Sequence, residues 1–382
     1  MNTGRILELD GLRALAITAV MLFHFSPHRN LFRFGWAGVD LFFVISGFLI
    51  TGILLDLRSD PSPYRTFYWR RVLRIFPPYY AVLAIAAVFA FVIHHEPFEA
   101  RQWFACLFFV PGIFRGVHLG LILHRILGTA EFDVSSNPFF RPRFPYYSWN
   151  LFAYWSLIVE ELFYLLWAPV VLKIGKRWIA TLALASLVLC PCVRGLTHVV
   201  QFEESIGFLT RFDSLAIGAC LSLLLRARPG LSPRWLIAPV PILVAILLGL
   251  SVRCGAFEGK EIRSTELFAI CGYSVIALLA ACIVGLCVRC RNHRLLLPLR
   301  IRPMVYLGTI SYTMYLIHLL VYVGVQRQLA GDLLRAVVAS TLTTWIASVS
   351  WKWYESPILR LRNWSPIAAI SRRLNLLPTT AE

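Results

Sequence analysis

Ten stretches of the chain are apolar over close to the 20 or so residues that a bilayer demands. They fall at 11–26, 37–57, 78–94, 150–172, 178–196, 208–226, 235–253, 266–288, 304–326 and 333–354, with shorter polar segments between most of them. None shows the strict alternation of a half-buried strand. The pattern predicts an all-α, polytopic membrane protein of about ten transmembrane helices. One linking segment is long: 95–149 carries a short apolar run (Trp103–Ile113) broken by Pro111 and Gly112, then a strip of proline, arginine and aromatic residues. That loop is expected to be re-entrant or interfacial at its start and to form a lid or binding wall.

Placing the N-terminus in the cytoplasm makes every short inner loop basic. One holds Arg58, Arg65, Arg70, Arg71 and Arg74, and another Arg289, Arg291, Arg294, Arg300 and Arg302. Both termini are therefore expected on the cytoplasmic side. Residues 1–360 read as one integral-membrane domain, and 361–382 as a short basic cytoplasmic tail. Only 15% of the 382 residues are charged, against about a quarter in soluble domains. The net charge of +17 sits in the linking loops, so it marks topology and a lipid-bilayer partner, not a nucleic-acid surface.

Nothing like a small-residue cleavage site follows the first apolar run, which is expected to stay in the membrane. Among nine cysteines, Cys190-x-Cys192 and Cys287-x-x-Cys290 lack the second pair of a structural zinc site, and no metal is expected. The two halves show no internal repeat.

Several ionisable residues interrupt the apolar runs, and such residues are functional candidates by default. Arg13 and His24 are 11 positions apart in the first run. On a helix they share a face and stand about 16 Å apart along the axis. Asp40 begins the second run, where a short connection brings it near His24. A carboxylate there would fix the imidazole tautomer and raise its basicity; equally, Asp40 could be a helix cap and His24 an interfacial histidine. Arg71 and Arg74 share a helix face suited to phosphate, or to simple inner-surface anchoring. Glu160 and Glu161 lie well inside the fourth run with no cation on the same helix, so at least one must face a polar cavity or an ion pair. Ser311, Tyr315 and His318 form a stripe that suits either a cavity wall or a hydrogen-bonded helix contact. Asp213 and Glu266 are acids without an evident role.

Taken together, LDGLRALA (Leu9–Ala16) with His24, GVDLFFVISGFLI (Gly38–Ile50), FYWRRVLRIFPPYY (Phe67–Tyr80), WSLIVEELFYLLW (Trp155–Trp167), SYTMYLIH (Ser311–His318) and YESPILR (Tyr354–Arg360) resemble the membrane-bound acyltransferase-3 family, in family order along the chain. That family includes O-acetyltransferases of bacterial surface polysaccharides and peptidoglycan. The resemblance implies a multi-pass protein of the bacterial inner membrane. It implies acyl-CoA, acetyl-CoA above all, as cytoplasmic donor, and a carbohydrate or glycan hydroxyl as acceptor. The family's helix-1 histidine falls on His24, its helix-1 arginine on Arg13, its RxxR pair on Arg71 and Arg74, and its acidic residue on Glu160.

The expected site thus has His24 as general base, with Asp40 or Glu160 beside it. Arg13, Arg71 and Arg74 face the donor, and Ser46, Trp155, Tyr315 and His318 are candidates for substrate binding. Departures from the family pattern at Ala153-Tyr154, Leu162 and Ile317 bear on the acceptor. A transporter or flippase of a lipid-linked or anionic solute is the competing class. Oligomeric state is left open.

Overall fold

The computed structural model describes residues 5–25, 32–88, 107, 155–199, 209–255 and 265–363. Among these, ten long helices match the ten apolar stretches in order: α1 (Leu7–Phe25), α2 (Gly38–Asp56), α3 (Pro63–Val88), α4 (Trp155–Lys173), α5 (Lys176–Val199), α6 (Phe212–Ala227), α7 (Pro239–Arg253), α8 (Tyr273–Arg289), α9 (Arg302–Gln328) and α10 (Asp332–Ser350). Eight helical stretches are long and apolar enough to cross a membrane by themselves. The other two have visible reasons to fall short. The first turns of α1 carry Glu8, Asp10 and Arg13, and α6 has only 16 residues. The long linking segment, apart from Leu107, and most of the tail lie outside the described residues.

One boundary differs from expectation. The third span was expected to begin at Pro78, but α3 begins at Pro63 and runs straight through Pro77 and Pro78. A proline removes one backbone donor from a helix, and in a bundle neighbouring helices can serve the weakened stretch. The carbonyls that lose a helical donor are those of Leu73 and Arg74; the stretch beside them is tied to its neighbours by the hydroxyls of Tyr312 on α9, which donates to the Ile75 carbonyl, and of Tyr354, which donates to that of Pro77, both at 3.2 Å. As a result Arg70, Arg71 and Arg74 sit on the body of a helix and not in a loop.

Helices approach one another most closely where side chains vanish. Gly47 on α2 and Gly218 on α6 are reciprocal contacts: a Cβ on Gly47 would overlap the Leu215 carbonyl, and one on Gly218 would overlap the Val44 carbonyl. Gly308 on α9 meets the Asp10 carbonyl of α1 in the same way. Without a hydrophobic drive between helices in lipid, such close packing is what holds a bundle together. α1, α2 and α6 form its centre, flanked by α4, α8 and α9. By contrast α7 and α10 bury little of their surface and lie at the periphery.

The ends of the bundle are chemically distinct. α1 carries Arg13 near one end and His24 near the other. The antiparallel α2 brings Asp40 to the histidine end, and α9 brings Thr309 to the arginine end and His318 to the histidine end.

A candidate active site between α1, α2, α3, α4 and α9

These five helices line a partly open cleft. Its polar lining is Arg13 from α1, Ser46 from α2, Arg71 and Arg74 from α3, Ser156, Glu160 and Tyr164 from α4, and Ser311, Tyr312 and Tyr315 from α9. Apolar residues, among them Val39, Phe42, Phe43 and Leu157, make up the rest. Six of the ten residues singled out in the sequence therefore converge on one cavity: Arg13, Ser46, Arg71, Arg74, Glu160 and Tyr315.

Arg71 and Arg74 are three apart, half-buried and line the cleft, while Arg70 is exposed and does not line it. The Arg71 guanidinium lies 5.5 Å from the centre of the Tyr164 ring and 5.9 Å from that of Phe67. Among the described residues it has no hydrogen bond and no ion pair. Arg74 lies 5.5 Å from the Trp351 ring centre and donates to the Thr309 carbonyl at 3.1 Å. Arg13 is 3.7 Å from Asp10, which also accepts from Arg5 at 2.6 Å.

Glu160 is the carboxylate of the cleft. It accepts from the Ser46 hydroxyl at 2.7 Å and from the Tyr164 hydroxyl at 3.2 Å. Tyr164 is one helical turn beyond Glu160, so the same face that carries the acid also supplies a donor to it. Among the described residues no arginine forms an ion pair with Glu160. Three guanidinium groups thus face one carboxylate, and the cleft has a surplus of positive charge on flat, delocalised cations. That combination suits phosphate groups, which arginine engages through paired donors.

The histidine end is arranged differently from expectation. His24 does not line the cleft, and Asp40 does not orient it. Asp40 is fully buried, and one carboxylate oxygen takes the Arg211 guanidinium at 2.5 Å and the Ser214 hydroxyl at 3.0 Å. Its other oxygen has no hydrogen-bond partner. A fully charged guanidinium in low dielectric outcompetes an imidazole for a carboxylate. Arg211 also stacks on Tyr273, 3.7 Å from the ring centre. Asp213, an acid without an evident role in the sequence, holds Arg194 at 2.8 Å and accepts from Ser274 at 2.7 Å. These two pairs form a buried polar layer at the histidine end.

His24 contacts His318. Its Nε2 lies 3.2 Å from His24 Nδ1, and its Nδ1 lies 2.7 Å from the Tyr315 carbonyl. Tyr315 joins the two zones: its hydroxyl is 2.7 Å from that of Ser156 inside the cleft, and its ring is 5.4 Å from that of His318. The stripe Ser311–Tyr315–His318 is therefore both cavity wall and helix contact. Trp155 stands at the flank, 6.1 Å from Phe43 and 5.9 Å from the Arg211 guanidinium.

With this geometry in hand, comparison with known proteins is decisive on kinship. A family model described as an acyltransferase domain matches residues 6–352. The chain belongs to the acyltransferase-3 family. The match covers all five cleft helices and the histidine pair. Among curated members, one named "Putative peptidoglycan O-acetyltransferase YrhL" from Bacillus subtilis is 27% identical over 95% of this chain and 58% of its own length. One named "O-acetyltransferase OatA" from Staphylococcus aureus is 25% identical over 92% of this chain and 56% of its own. A "Peptidoglycan O-acetyltransferase OatA" from Listeria monocytogenes is 30% identical over 45% of this chain and 25% of its own. The chain spans a little over half the length of the first and second of these relatives. No solved structure matches it.

Proposed function

We propose that the chain is an O-acyltransferase that moves an acetyl group from acetyl-CoA to a hydroxyl of a glycan. The observation that carries this reading is the cleft and what adjoins it: three arginines and one carboxylate line the cleft, and a histidine pair lies behind its Tyr315 wall. Membership of the acyltransferase family and relatives named for O-acetylation of peptidoglycan point the same way.

In this reading the arginine end faces the cytoplasm of a bacterial inner membrane. Arg71 and Arg74 hold the phosphates of CoA, with Arg13 beside them. The pantetheine arm extends along the cleft past Ser46 and Glu160 toward Tyr315. α1 is a continuous helix across this path, so Arg13 and His24 stand about 16 Å apart along its axis, a length an extended phosphopantetheine spans. His24 takes the proton of the acceptor hydroxyl as its oxygen bonds to the thioester carbonyl carbon. The carbon–sulfur bond breaks, and the CoA thiolate recovers the proton from His24 and leaves on the cytoplasmic side. The glycan approaches from the outer side, where Trp155 stands.

The test is direct. The purified protein in liposomes, given acetyl-CoA labelled in the acetyl group and a peptidoglycan fragment, is expected to form labelled ester and free CoA in equal amounts. A transporter or flippase would move solute and leave acetyl-CoA unconsumed, and that result overturns the proposal.

A further inference from the structure

The contact between His24 and His318 has a direction, and the direction assigns a role. A carbonyl oxygen can only accept, so His318 Nδ1, 2.7 Å from the Tyr315 carbonyl, must carry a proton. In a neutral imidazole the other nitrogen then holds the lone pair. His318 Nε2 is therefore an acceptor, and His24 Nδ1, 3.2 Å away, must be the donor. A neutral His24 with its proton on Nδ1 holds its own lone pair on Nε2. One backbone carbonyl on α9 thus fixes the proton positions of two rings in series.

We infer that His318 is a positioning residue for His24: it holds the His24 ring in the tautomer whose Nε2 is the basic nitrogen, and it steadies the imidazolium that forms during transfer. The surroundings suit this task. His318 is fully buried, with its ring 5.1 Å from that of His24 and 6.2 Å from that of Phe25, so it has little freedom to turn. Phe25 in turn stacks on Tyr322 of the same helix, with ring centres 4.8 Å apart.

When the hydroxyl proton arrives on His24 Nε2, the Nδ1 proton stays in its bond to His318 Nε2, and no second proton has to move. Asp40 is engaged by Arg211 and Ser214, and at His24 Nδ1 the acceptor is a neutral ring. The inference rests on His24 being the base of the proposed reaction.

Three replacements separate positioning from packing. His318→Gln can present its side-chain oxygen where Nε2 stood and so still accept from His24. His318→Asn can reach the Tyr315 carbonyl but is too short for His24. His318→Leu fills the space and accepts nothing. The measurement is kcat and KM for acetyl-CoA in liposomes, together with the unfolding temperature of each variant.

Losing the group that orients a functional histidine typically costs about 10–100-fold. The Leu and Asn variants are expected to lose kcat by about that factor with KM for acetyl-CoA unchanged, and Gln to recover most of the loss. Should Leu not fold, the Gln-to-Asn comparison carries the decision alone. Equal kcat in Gln and Asn, or loss that follows unfolding temperature and not the acceptor atom, overturns the inference. His24→Ala in the same assay keeps the two ideas apart: if it transfers acetyl at the normal rate, it is the assignment of the base that fails.

Discussion

Removing the arginines of α3 tests the donor end of the cleft quantitatively. Arg71 is half-buried, faces the cavity and has no ion pair among the described residues, so its charge is available to a ligand. A hydrogen bond to a charged group contributes about 1.5–3 kcal/mol net, and each 1.4 kcal/mol or so is a factor of ten in affinity. Arg71→Ala is therefore expected to raise KM for acetyl-CoA by about 10–150-fold.

Arg74→Ala removes a second such group, though part of Arg74's donor capacity already serves the Thr309 carbonyl. The double variant is expected to exceed either single one. Arg71→Lys keeps the charge but not the planar fork, and should fall between wild type and Arg71→Ala. Arg70→Ala is the internal control, since Arg70 is exposed and does not line the cleft. The assay is transfer of label from acetyl-CoA across a range of donor concentrations, with protein amount matched in liposomes. An unchanged KM in the double variant, or an equal shift in Arg70→Ala, would refute the assignment of this pair to the donor.

Other consequences are open to measurement. Asp40→Ala leaves the buried Arg211 guanidinium without its carboxylate, so it should destabilise the bundle by about 3–5 kcal/mol; a lower unfolding temperature in detergent is expected, and a normal one with selective loss of kcat would restore Asp40 to the chemistry. Gly47→Val or Gly218→Val forces α2 and α6 apart and should cost about 1–3 kcal/mol, with lower yield of folded protein on size-exclusion chromatography. Glu160→Ala strips two hydroxyl donors, Ser46 and Tyr164, of their acceptor; a stability loss of about 1–3 kcal/mol by thermal unfolding is expected, and none would show that the carboxylate has no structural share in the cleft.

The bundle was largely legible from hydropathy, because an apolar run of bilayer length has few alternatives to a helix. α3 was the exception: Pro77 and Pro78 suggest a break, yet the helix carries on through them, in a stretch that the hydroxyls of Tyr312 and Tyr354, more than 230 positions away, tie to the bundle. The cleft residues were legible as single polar groups in apolar runs, and the family's RxxR pattern, more than helical spacing, singled out Arg71 and Arg74 beside Arg70. Pairing was not legible. Asp40 lies near His24 along the chain, yet its partner Arg211 is 171 positions away, and His318, which His24 contacts, is 294 away. Sequence proximity favours the hairpin neighbour, whereas burial favours the partner that neutralises a charge. Asp213 shows the same effect: alone in its helix, it is matched by Arg194 from α5.

The central claim is that a histidine behind the Tyr315 wall of an arginine-lined cleft drives transfer of an acyl group to a hydroxyl. It is tested most directly by His24→Ala in liposomes supplied with labelled acetyl-CoA and a glycan acceptor, with binding of acetyl-CoA measured in parallel. The expected result is loss of labelled ester with donor binding retained. Ester formation at the wild-type rate would contradict the account.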